Sequence, residues 1–205
     1  MIPYGRQEIT EKDIKAVVDV LRSDFLTQGS VVPKFEHKLC TYTGVENAVA
    51  VNSCTSALHI ACLALNLGPG DVLWTSPISF VASANCALYC GALVDFVDIE
   101  PDTALMSVQA LEDKLKQAEQ QGNLPKIVIP VHFAGQSCNM KKFLLLARSM
   151  GLGLLKMLHM LLAVSILIDR LVVVNILISP CLVFIRLKLL QQQKEGWQQQ
   201  TIKSF

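Results

Sequence analysis

The chain has 205 residues, enough to bury one domain of ordinary size. Its 18 Lys and Arg against 17 Asp and Glu give a formal net charge of +1, which supplies no electrostatic basis for binding nucleic acid or an acidic membrane face. Seven cysteines without C-x-x-C spacing, behind a start (Met1-Ile2-Pro3-Tyr4-Gly5-Arg6) that is no targeting sequence, point to a cytoplasmic protein with reduced thiols.

Thr10-Glu11-Lys12-Asp13 opens an amphipathic helix with Ile14, Val17, Val18 and Leu21 on one face and Thr10 as its cap. Leu26–Gly29 is a turn, and Val32–Tyr42 reads as a second helix closing at Gly44. Ala48–Val51 is a short apolar, β-branched run, the pattern of a buried strand. Asn52 and Ser53 break it with side chains that prefer caps and turns, and from Thr55 the apolar spacing becomes helical, through Leu58, Ala61, Cys62 and Leu65. A strand that turns through small hydroxyl residues into a helix presents free backbone N–H groups and a positive dipole end, which suits a phosphate. The glycines and lysine of a P-loop and the three glycines of a dinucleotide fingerprint are absent, so nucleotides are not expected by those routes. Taken alone, the stretch reads more readily as a serine-rich cap with no ligand.

Leu67–Asp71 is a loop, Val72–Thr75 a strand, and Ser76–Phe80 a second strand-to-helix junction leading into a helix over Val81–Tyr89. Cys86 and Cys90 lie four apart, one face if helical, and read as core rather than as metal ligands. Leu93–Val97 is a strand, Leu105–Gln120 a charged surface helix, and Lys126–Val131 a strand running into His132–Gln136. Strands alternating with helices predict an α/β fold, a mostly parallel sheet with helices on both faces and ligands at the carboxyl ends of its strands. The three polar junctions, 52–56, 76–80 and 132–136, all fall at such ends.

Residues 1 to about 142 resemble the N-terminal part of the pyridoxal-phosphate (PLP) sugar-nucleotide aminotransferases, which have the aspartate-aminotransferase fold. The resemblance is carried by Leu26–Gly29, Phe35-Glu36, Asn52–Leu58, Gly68–Asp71, Pro77–Asn85, Val97–Glu100 and Val131–Gln136. Thr27-Gln28-Gly29 with Pro77–Ala82 is most similar to the branch forming UDP-4-amino-4,6-dideoxy-N-acetyl-altrosamine, a precursor of pseudaminic acid. The resemblance implies that Thr55 and Ser56 hold the PLP phosphate, that Phe80 stacks on the pyridine ring, and that His132 and Gln136 border the substrate pocket. It also implies a UDP-sugar substrate, glutamate as amino donor, a homodimer and no metal. A helix N-terminus suits a phosphate, and an aromatic at a strand end suits a flat ring.

From Leu144 the composition changes. Leucine-rich runs at 144–147, 154–162 and 187–190 show no strand-helix punctuation, and a glutamine-rich tail begins at Gln191. The family should supply an aspartate for the ring nitrogen here, and then the lysine that holds PLP covalently. Asp169 lacks the expected neighbours and Lys188 sits between leucines, so no catalytic residue is assigned. Shifting the reading frame explains the loss. With permitted codons, starting at the last base of the Leu154 codon turns Leu154–Val164 into Ile-Glu-Asp-Ala-Ser-Tyr-Ala-Ile-Gly-Gly, an aspartate motif of the family. The same shift turns Ile176–Thr201 into a segment containing Ser-Phe-His-Pro-Val-Lys, the lysine motif. The expectation is therefore a partial PLP-transferase large domain over 1–143 and an out-of-frame tail over 144–205 without native structure, the frame slipping between Lys142 and Ser149. Leu171–Ile185 is apolar but too short for a membrane span, and a non-enzymatic gene fragment is the alternative to an enzyme.

Overall fold

The computed structural model describes residues 8–43, 47–158, 173–179 and 182–186. Helix α1 (Glu11–Leu21) begins at a reciprocal cap, in which the Thr10 side chain accepts from the Asp13 amide and the Asp13 carboxylate accepts from the Thr10 amide at 2.8 Å. Helix α2 (Val31–Thr43) follows, then strand β1 (Val49–Val51), helix α3 (Cys54–Ala64), strand β2 (Val72–Thr75) and helix α4 (Ala82–Tyr89). Strand β3 (Leu93–Phe96), helix α5 (Val108–Gln121), strands β4 (Ile127–Ile129) and β5 (Val131–His132), helix α6 (Met140–Met150) and strand β6 (Gly153–Leu158) come next, and β7 (Val173–Ser179) and β8 (Leu182–Arg186) complete the sheet.

The sheet order is β1-β8-β7-β6-β4-β2-β3, with β5 beside β6. The pairs β2–β3, β2–β4, β4–β6 and β6–β7 are parallel, whereas β8 is antiparallel to both β7 and β1. Two reversals leave β1 running in the same sense as β7, so the carboxyl ends of β1, β2, β4, β6 and β7 share one edge. That edge is where an open α/β sheet binds ligands.

The alternation of side chains along β2 and β4 sorts the core into two layers. Leu73, Ile127 and Ile129 pack on one face against Ala57, Leu58, Ala61 and Cys62 of α3 and Ala82, Cys86 and Ala87 of α4. Trp74 and Val128 pack on the other face against Leu111, Leu115 and Ala118 of α5 and Met140, Phe143, Leu144 and Ala147 of α6. Helices cover both faces, as the alternating pattern predicts. Cys86 is fully buried in the first layer.

The structure departs from the sequence reading in four places. Strand β1 is not the buried strand expected at Ala48–Val51: Val49 is 43% exposed, and Ala50 and Val51 are half-buried, because β1 lies at an edge of the described sheet rather than inside it. Helix α5 starts three residues later than expected, because Met106 bridges to Ile99 and Ser107 caps the helix by accepting from the Ala110 amide. The expected strand 126–131 divides into β4 and β5 around Pro130, which has no N–H to donate. The leucine run at 144–147 lies inside a punctuated helix: Asn139 caps α6 ahead of it, and Gly151 ends α6 beyond it in the left-handed region at φ 66°. Helix α6 therefore crosses the 143/144 boundary, and the backbone continues into β6, which lies parallel to β4. Asp169, Lys188 and the glutamine-rich tail lie outside the described residues, as does the start of the chain. Among the described residues, no helix is long and apolar enough to cross a membrane, and no cluster of His, Cys, Asp and Glu could hold a metal ion.

Candidate functional site

At the end of β1 the chain passes through Asn52 to Ser53, which has extended dihedrals (φ −159°, ψ 158°) and caps α3. Its hydroxyl oxygen accepts from the Ser56 amide at 3.1 Å and lies 2.9 Å from the Ser56 hydroxyl. The cap satisfies the third amide of the helix and leaves those of Cys54 and Thr55 without an intrahelical acceptor, at the positive end of the dipole. Thr55 is half-buried and adds a side-chain hydroxyl on the same first turn. Thr55 and Ser56 thus differ: Thr55 is the one whose amide and hydroxyl the cap does not use.

At the end of β2, Thr75 donates to the Ile129 carbonyl at 3.0 Å, and Ser76 is buried with a hydroxyl that has no hydrogen-bond partner among the described residues. Phe80 stands 61% exposed just before α4. Its carbonyl accepts from the Ser83 hydroxyl at 2.6 Å and from the Ser83 amide at 3.1 Å, which fixes the backbone that carries the ring. Ser76 was not singled out from the sequence. A hydroxyl closing an apolar strand ahead of Pro77 was the available signal.

At the end of β5, His132 is fully buried and its Nδ1 accepts from the Cys138 amide at 3.0 Å. That bond makes Nδ1 the acceptor, so the proton of a neutral imidazole resides on Nε2. Phe133 and Gln136 exchange backbone hydrogen bonds of 3.2 and 2.8 Å across a two-residue turn with positive φ at Ala134 (47°) and Gly135 (85°). Gln136 is exposed on this hairpin while His132 lies buried beneath it.

The three junctions share the carboxyl edge without forming one contact cluster. Phe80 and His132 belong to neighbouring strand ends, with Thr75 opposite Ile129 in register. The α3 terminus reaches the same edge from the far side, α3 packing on β7, β8 and α4. The ends of β6 and β7 lie between, His132 standing opposite Leu158 and Leu158 opposite Leu177.

The donor set tests whether these residues fit PLP. Free first-turn amides with a hydroxyl fit its phosphate, an exposed ring at the same edge fits its flat face, and the buried Ser76 hydroxyl can serve a polar group. Gly153–Leu158 carries no carboxylate for a ring nitrogen and Val173–Ser179 carries no lysine for a covalent bond. Among the described residues, groups suited to the phosphate and to the ring are present, whereas β6 and β7 supply neither the acid nor the covalent anchor.

The profile of the DegT/DnrJ/EryC1/StrS aminotransferase family matches residues 7–156. The chain belongs to this family. It is 38% identical over 155 residues to the spore coat polysaccharide biosynthesis protein SpsC of Bacillus subtilis, covering 76% of this chain and 38% of that one. It is also 38% identical over 157 residues to a UDP-4-amino-4,6-dideoxy-N-acetyl-beta-L-altrosamine transaminase of Campylobacter jejuni, covering 76% and 40%. Among solved structures, the PLP form of the putative sugar aminotransferase Spr1654 of Streptococcus pneumoniae superposes with a TM-score of 0.66 at 28% identity, over 76% of this chain and 42% of that one. The family match extends 13 residues past Phe143, to the middle of β6. The chain spans about two fifths of the length of the curated relatives it matches.

Proposed function

We propose that this chain carries the phosphate- and ring-binding half of a sugar-aminotransferase PLP site and does not itself complete transamination. The observation that carries the reading is the α3 terminus, where the Ser53 cap leaves Thr55 and the Cys54 amide free at the sheet edge shared with Phe80 and His132. When bound, PLP supplies the electron sink for moving an amino group. Thr55 and the first-turn amides hold its phosphate, Ser56 supports them through the cap, and Phe80 lies against the ring. His132 and Gln136 border the substrate. The family's intact reaction transfers an amino group from glutamate to a UDP-linked 4-keto-6-deoxy amino sugar in a homodimer, and the transaminase relative supports that substrate class. The free thiols and the nucleotide-sugar substrate support a cytoplasmic setting.

The lost aspartate and lysine are explained by a change of reading frame. The family match to residue 156 and the Gly151 helix end favour a slip between Gly151 and Lys156, later than composition alone suggests. The test is borohydride reduction of the chain with PLP, followed by peptide mass spectrometry and an assay with glutamate and the keto-sugar nucleotide. Expected are no stoichiometric lysine adduct and no amino sugar. A single full-occupancy adduct, at Lys188 or elsewhere, together with turnover would overturn the reading.

A further inference from the structure

Among the described residues, strand β1 lies at one end of the sheet and pairs with β8 alone. In register, Ala50 stands opposite Phe184. An edge strand leaves every second amide pointing away from its neighbour, and such groups need a partner. The Ala50 amide has one: it donates to Oε1 of Glu36 on α2 at 2.8 Å, in a half-buried contact. A carboxylate from a preceding helix thus stands where another strand's carbonyl would be, in a charge-assisted bond stronger than a neutral one.

Two residues, Val51 and Asn52, separate Ala50 from Ser53, the cap of α3. Any shift of β1 along or away from the sheet moves Ser53, and with it the amides of Cys54 and Thr55. A short strand of three residues has little pairing of its own to resist that shift. We propose that Glu36 is a positioning residue for the α3 phosphate seat, acting through the Ala50 amide and the Ser53 cap. Its cofactor consequence rests on the functional reading given above; its effect on the turn does not.

Three variants of the full chain separate reach from charge. Glu36→Gln keeps an acceptor oxygen at the same reach and removes the charge. Glu36→Asp keeps the charge and withdraws the carboxylate by one methylene. Glu36→Ala removes both. Amide hydrogen exchange is read at Ala50 and at Ser56, the amide held by Ser53, and binding is titrated with pyridoxamine 5′-phosphate and with pyridoxamine. In the Ala and Asp variants, Ala50 exchange is expected to speed up at least tenfold, Ser56 exchange to follow, and pyridoxamine 5′-phosphate to bind about tenfold more weakly, with pyridoxamine unchanged. The Gln variant is expected to stay within about threefold of wild type in all three.

Unchanged Ala50 protection in Glu36→Ala overturns the proposal, and so does lost Ala50 protection with Ser56 exchange and phosphate-dependent binding intact. If the wild-type chain does not distinguish the two ligands, the functional reading falls, while Ser56 exchange still decides whether Glu36 positions the turn.

Discussion

The Ser53 hydroxyl sits 3.1 Å from the Ser56 amide nitrogen and 2.9 Å from the Ser56 hydroxyl, so these two serines close the first turn of α3 on each other. Replacing Ser53 by Ala removes the acceptor for a helix amide, a change that costs about 1 kcal/mol at an N-cap. Chemical denaturation is expected to show that loss, with Ser53→Asp recovering most of it, since an aspartate caps as well as a serine. A neutral Ser53→Ala variant would mean that the cap does not hold this helix.

Asp71 accepts from the Lys126 ammonium at 2.8 Å and from the Gly68 amide at 2.9 Å. The Lys126 bond above all holds its carboxyl below the usual 3.8, against desolvation, with the Gly68 amide adding a lesser lowering effect. A folded pKa below the unfolded one gives stability that is complete above the unfolded value and is lost as pH falls through the folded value. Between about pH 5 and pH 2 the wild type is therefore expected to lose more stability than Asp71→Asn, and the two should converge at the acid end. Parallel curves for the two proteins would remove this pair from the acid response.

Phe143 and Leu144 are 1% and 7% exposed, on either side of the boundary expected from composition. Truncating a buried Phe or Leu to Ala costs about 3 to 5 and 2 to 5 kcal/mol respectively. Both Phe143→Ala and Leu144→Ala are expected to destabilise in that range, whereas Leu145→Ala, 57% exposed, should stay within about 0.5 kcal/mol of wild type. A Leu144 variant as mild as the Leu145 one would end the native core at the earlier boundary.

Most of the fold was readable because local signals agreed with one another. Val72–Thr75 is a β-branched and aromatic run closed by Asp71 and Pro77, and β2 has those bounds. Thr10 with Asp13 reads as a cap, and the reciprocal bonds are present. Where the signal was tertiary, the sequence was silent. The pairing of Met106 with Ile99 delays α5, and neither residue carries a mark of it. Helix α6 hid in a leucine run, since Phe143, Leu144 and Ala147 face the core while Leu145 faces out, and uniform leucines carry no period. Three hydroxyls at 53, 55 and 56 look alike in sequence; only geometry assigns two of them to the cap and frees Thr55. The Glu36 bond to Ala50 spans 14 residues and depends on how α2 lies against β1.

Sequencing of the gene from the codon of Cys138 onward, on both strands, checks the frame. The expected result is codons whose alternative frame spells the Ile-Glu-Asp-Ala and Ser-Phe-His-Pro-Val-Lys segments, with the slip lying between Gly151 and Lys156. Codons that spell neither segment in either alternative frame would leave the leucine-rich stretch as a selected sequence.

The measurement closest to the central claim is a calorimetric titration of the chain with pyridoxamine 5′-phosphate and, separately, with pyridoxamine, repeated on Thr55→Val and Ser56→Ala. The phosphate form is expected to bind at least tenfold tighter than the phosphate-free form. Thr55→Val should erase most of that difference by replacing a charge-assisted hydroxyl donor with a methyl, while Ser56→Ala, acting only through the cap, should leave more than half of it in free-energy terms. Equal binding of the two ligands to the wild-type chain, or a preference for phosphate that Thr55→Val does not touch, would contradict the assignment of the α3 terminus as the cofactor-phosphate seat.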